Sequence, residues 1–108
     1  MKAFELAALL EQHLSQEKLY LEFLRVPDLS MGLYILPAGG HDPQQPHQED
    51  EVYYVVAGKA TIQVDGQDRP VQAGSVVYVP ARLPHHFHTI EDELQVLVFF
   101  APAESSSN

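Results

Sequence analysis

Five of the six histidines fall in two short clusters, His41 with His47 and His85 with His86 and His88, while His13 stands apart. His47 is followed four residues later by Glu51 and preceded two residues earlier by Gln45. Imidazole nitrogen, carboxylate oxygen and amide oxygen all ligate first-row divalent cations. Two histidines with one carboxylate leave coordination positions open for water or substrate. His47 and Glu51 supply one of each, so a second histidine has to come from elsewhere in the chain. On a straight strand, residues four apart are separated by about 13 Å; residues 48–50 must therefore turn if His47 and Glu51 are to meet at one ion. Gln45 and His47, two apart, share a strand face directly.

The elements that must position these groups are mostly strands. Residues 3–15 place Leu6, Leu9, Leu10, His13 and Leu14 on one side at helical spacing, which predicts a short amphipathic helix in which His13 packs. From Lys18 onward the period changes. Residues 19–24, 31–36 and 52–56 are short aromatic or β-branched runs bounded by Pro and Gly, and 60–65, 75–79, 87–90 and 94–100 continue the series. Turns are expected at Ala57-Gly58-Lys59, Asp65-Gly66 and Ala73-Gly74, with Asp65-Gly66 the strongest hairpin signal because both residues tolerate positive φ. Glu51, Tyr53 and Val55 have one parity and project together into a barrel, whereas Val52, Tyr54 and Val56 face outward and need a sheet, the helix or a partner subunit to cover them. Glu49 and Asp50 read as a solvated turn, and His86 and His88 as the outward neighbours of His85.

Composition bounds the function. A chain of 108 residues that is 45% hydrophobic supplies the core of one compact domain. The expected layout is a helix over 1–16 and a barrel over 17–101, within a domain spanning 1–103, and a flexible polar tail over 104–108. Six basic against 15 acidic side chains give a net charge of −9, with no cluster of Lys and Arg, which argues against nucleic acid. The absence of cysteine excludes disulfides, thiolate metal sites and thiol catalysis. The opening apolar stretch is interrupted by Glu5 and Glu11 and suits neither a signal peptide nor a membrane span, so a cytoplasmic location is expected. Phosphate loops, serine nucleophile elbows and dinucleotide fingerprints are missing.

Two spaced motifs carry a resemblance. The first reads Gly39-x5-Gln45-x-His47-x3-Glu51-x6-Gly58, and the second Gly74-x5-Pro80-x-Arg82-x2-His85-x3-Thr89. Together they resemble a small single-domain cupin of the RmlC-like superfamily, whose motifs are G-x5-H-x-H-x3-4-E-x6-G and G-x5-P-x-G-x2-H-x3-N. Every spacing is kept; Gln45 replaces the first His, Arg82 the Gly and Thr89 the Asn. The resemblance implies an all-β fold, the cupin double-stranded β-helix (jelly-roll) barrel, here with a short N-terminal α-helix. It implies His47, Glu51 and His85 as ligands of one divalent transition metal: Fe, Mn, Ni, Co or Zn. The fourth position falls on Gln45, through its side-chain oxygen, on His41 reaching in from the loop, or on water.

The expected activity is that of a metal-dependent, oxygenase-like or isomerase-like enzyme acting on a small organic molecule, with Tyr53 as the candidate catalytic side chain beside Glu51. The competing reading is a non-catalytic small-molecule-binding or sensor module with a structural metal or none. A metal-free epimerase-like barrel would need His85 as a base near a tyrosine. Small cupins commonly pair through their outer sheet, and the amphipathic N-terminal helix with the two-sided apolar strands from Leu19 to Leu36 predicts a homodimer.

Overall fold

A computed structural model describes residues 1–105. Its elements are α1 (Leu6–Leu14), β1 (Tyr20–Val26), β2 (Leu29–Leu36), β3 (Asp50–Val64), β4 (Gln67–Gln72), β5 (Val76–Val79) and β6 (His85–Ala101). All strand pairs are antiparallel, in the order β1-β2-β6-β3-β4, with β5 pairing β3. The fold is the expected all-β double-stranded helix with one short helix.

β3 and β6 are each longer than the runs read from the sequence, because 52–56 joins 60–65 and 87–90 joins 94–100 without a turn. The ladder between them shifts register three times, between Val55 and Thr61 on the β3 side. The shifts change the parity of the inward face. On β3 the buried side chains are Glu51, Tyr53 and Val55 before the bend, and Ala60 and Ile62 after it. On β6 they are His85 and Phe87 before the bend, then Ile90, Leu94, Val96, Val98 and Phe100. Bulges of this kind let one strand keep an apolar interior while curving around it.

Gly58 therefore marks a bend within a strand where a turn was expected. Its φ is +102°, and a Cβ there would lie 2.2 Å from the Glu93 carbonyl oxygen. Asp65 and Gly66, with φ of +51° and +82°, do make the two-residue hairpin loop, closing Val64 against Gln67. The strand that follows, β4, escaped the hydrophobic pattern because only Val71 of its six residues is buried and Pro70 interrupts it. A sheet edge tolerates both features.

The helix is shorter than expected and buries less. Leu9 is buried, but Leu14, expected on the packed side, is 83% exposed. Phe4 meets Phe23 edge-to-face at 4.9 Å, and the His13 ring nitrogen lies 2.6 Å from the Leu19 carbonyl oxygen, tying α1 to the start of β1. Among the described residues no helix is long and apolar enough to cross a membrane.

Candidate metal centre

Glu51 and His85 stand near the starts of the two long strands and point inward, because β3 and β6 alternate in register with the core. His47 lies in the irregular segment before β3. Its carbonyl oxygen accepts the Arg82 N–H at 2.7 Å, and its ring packs edge-on against Phe100 at 4.8 Å. The turn required between His47 and Glu51 is present, with bends at Gln48 and Glu49. One ligand atom from each of His47, Glu51 and His85 falls within 4.8 Å of the others. The structure thus gathers the three residues that the motifs single out.

The polarity of this cluster is one-sided. His85 Nδ1 lies 2.9 Å from the Leu83 carbonyl oxygen, so the neutral ring carries its proton there and turns the Nε2 lone pair inward. His85 Nε2 stands 3.0 Å from Glu51 Oε1, yet the pair is not in hydrogen-bond geometry. That nitrogen and both Glu51 carboxyl oxygens have no hydrogen-bond partner, although Glu51 is only 1% exposed. Leaving such groups unpaired costs on the order of several kcal/mol. A cation between them removes the cost, and so does a proton. Burial pulls the His85 pKa down, but Glu51 and the Leu83 carbonyl oppose it and hold it above the ordinary histidine value. The donor set fits a divalent transition metal.

The side chain that meets the cluster from the preceding loop belongs to Gln44, a neighbour of the residue the motif indicates. Gln45 and His41 are exposed, whereas the Gln44 side chain points into the cluster. Gln44 Oε1 lies 3.3 Å from His47 Nε2 and accepts the Tyr53 O–H at 2.9 Å. Its orientation is fixed by buried Asp42, which accepts the Gln44 side-chain N–H at 2.8 Å. Asp42 also takes the Tyr34 O–H at 2.5 Å and the Phe87 N–H at 2.8 Å. An acceptor on that side compels the amide nitrogen to face Asp42 and leaves the oxygen for the site. Strand alternation failed here because residues 41–47 form no strand, and the flanking prolines Pro43 and Pro46 were the available signal.

Tyr53 is fully buried beside this group. Burial, reinforced by the charge of Glu51, pushes its pKa well above the ordinary phenol value, so it remains a donor. Glu49 is buried and not part of a solvated turn, and its Oε2 accepts the Ser105 N–H at 3.0 Å. Glu104, expected in the flexible tail, instead places Oε2 at 3.1 Å from His47 Nδ1. Nothing in the sequence joins residue 104 to the motifs; residues 106–108 of that expected tail lie outside the described part. His86 and His88 face away as expected, their rings 5.5 Å apart, with His88 Nε2 2.9 Å from Asp68.

Arg82 and Thr89 stand where the resembled motif has Gly and Asn, and both keep positive φ, +69° and +51°. Gly and Asn adopt this conformation more readily than the Arg and Thr found here.

The family model described as Cupin domain matches residues 32–101, and the chain belongs to that family. The Streptomyces coelicolor protein SCO3923 is 50% identical over 105 residues, which cover 97% of this chain and 100% of that one. TT1209 from Thermus thermophilus has the same fold, with a TM-score of 0.77 at 21% identity over 95% of this chain and 99% of that chain. DMSP lyase DddQ from Ruegeria pomeroyi DSS-3 gives a TM-score of 0.66 at 27% identity, over 70% of this chain and 39% of that chain.

Proposed function

We propose that this cupin holds one Fe, Mn, Ni, Co or Zn ion through His47, Glu51 and His85, with Gln44 in the fourth position, and acts on a small organic molecule as a metal-dependent enzyme. The carrying observation is the buried Glu51 carboxyl facing His85 Nε2 with neither group hydrogen-bonded. A divalent ion supplies Lewis-acid activation of a carbonyl, or adjacent positions for substrate and dioxygen. The chain supplies the rest. Residues 41–46 with Pro84, His85 and His86 line a cleft of about 370 Å³ that admits a small molecule. Tyr53, kept protonated by burial, donates to Gln44 Oε1 and so holds that oxygen beside the ion's place. DddQ, named as a lyase, supports a reaction class beyond oxygenation and isomerisation.

Elemental analysis of untagged protein tests the reading. About one transition-metal ion per chain is expected, with loss in His47→Ala and His85→Ala. At a hundredfold excess over Kd, added ion stabilises the fold by ~2.7 kcal/mol. Metal-free protein whose Tm none of the five ions raises overturns the proposal.

The cleft is rimmed by short segments alone, which favours a second reading, a non-catalytic binding or sensor module. Turnover of any substrate that is abolished by His47→Ala and Glu51→Ala excludes it. We also propose that the protein works in the cytoplasm, and as a homodimer through the exposed outer face of β3 and β5.

A further inference from the structure

His47 differs from Glu51 and His85 in having no strand to hold it. His85 is fixed locally, by a carbonyl oxygen two residues away, and Glu51 by the β3 ladder. What contacts the outer nitrogen of His47 is Glu104, from the far end of the chain: Oε2 lies 3.1 Å from Nδ1, with the two side chains 11% and 15% exposed.

Glu104 is itself held in place from several sides. Its N–H donates to Oγ of fully buried Ser30 at 3.0 Å, and its carbonyl oxygen accepts from Arg25 Nη2 at 2.8 Å. The next residue, Ser105, donates its N–H to buried Glu49 at 3.0 Å. These anchors come from β1, β2 and the loop before β3, so the carboxylate arrives at His47 on a braced segment. A carboxylate accepts only, so the His47 ring carries a proton on Nδ1; Gln44 Oε1, 3.3 Å from Nε2, is likewise an acceptor, so with a neutral ring both lone pairs are free to face one ion between them. A carboxylate on the outer nitrogen of a ligating histidine fixes the ring and makes it a stronger donor.

We propose that Glu104 is a positioning residue for the metal centre: by accepting the Nδ1–H of His47 it presents Nε2 to the ion and couples the C-terminal segment to metal binding. The inference rests on the metal reading given above. It assigns Glu104 no contact with substrate or ion.

The test uses the full chain. The Co(II) dissociation constant is measured by competition with a chelator, the visible spectrum of the Co(II)-loaded protein is recorded, and the His47 tautomer in Zn(II)-loaded wild type at pH 8 is read by nitrogen–proton NMR. Wild type is expected to hold the Nδ1–H tautomer. Glu104→Ala should weaken Co(II) binding by about 10–100-fold and shift the visible bands, while Glu104→Gln, whose amide oxygen still accepts, should recover most of both. Unchanged affinity and spectrum in Glu104→Ala overturn the proposal and leave the metal reading standing. Wild type that binds no Co(II) overturns both. If Glu104→Ala does not fold, an Nε2–H tautomer in wild type is sufficient to overturn it.

Discussion

A side-chain amide is a weaker ligand than an imidazole, so on the proposed reading Gln44 needs outside help to serve. Asp42 takes its N–H and Tyr53 donates to its oxygen, so the amide is polarised and aimed before any ion arrives. Gln44→Ala is therefore expected to lower Zn affinity about tenfold, or ~1.4 kcal/mol. Gln45→Ala, at an exposed position, should change it less than twofold. Chelator competition on the two variants measures both, and the reverse ranking would return the fourth position to the motif residue. The clustering of His47, Glu51 and His85 was legible because strand parity and motif spacing act over a few residues. Gln44 and Glu104 were not, because one sits in a proline-bracketed loop with no alternation and the other reaches the site only through tertiary folding.

At the scale of elements, the bends in β3 and β6 decide which side chains face inward. Gly58 carries the bend in β3, where both its φ and the Glu93 carbonyl exclude a side chain. Gly58→Ala should cost at least ~2 kcal/mol, combining left-handed strain of about 1 kcal/mol with displacement of the neighbouring backbone. Thr89 is the opposite case, a β-branched residue held at positive φ on an exposed stretch of β6. Thr89→Asn should raise stability by about 0.5–1 kcal/mol, since Asn tolerates that conformation better. Urea unfolding of both variants checks the signs. The sequence showed an irregularity at 57–59 but read it as a turn, because a glycine between two apolar runs looks alike in a hairpin and in a bulge. The ladder from β3 to β6 resolves the ambiguity, and that pairing spans residues too distant for local pattern to reveal. β4 was hidden for the converse reason: an edge strand buries too little to need an apolar pattern.

At the scale of the whole molecule, β5 pairs antiparallel beside β3 with Val52 opposite Tyr78 and Tyr54 opposite Val76. The outward members leave Tyr54 41%, Val76 67% and Tyr78 59% exposed, an aromatic and aliphatic patch on a chain of net charge −9. Two such faces meeting would bury apolar surface from each copy, worth roughly 25 cal/mol per Å² removed from water. Their like charges would repel at long range, and salt screens that repulsion beyond about 10 Å at 0.1 M ionic strength. A homodimer assembled this way should therefore tighten as salt rises, the opposite of an interface held by ion pairs. Sedimentation at micromolar concentration should show the dimer, with a larger dimer fraction at high salt. Val76→Glu, placed where the side chain is most exposed, should yield a monomer that keeps its metal, because the patch lies on the outer face while Glu51 and Tyr53 face the interior. A monomer at both salt concentrations in the unaltered protein would remove the dimer and leave the barrel to bury its site alone.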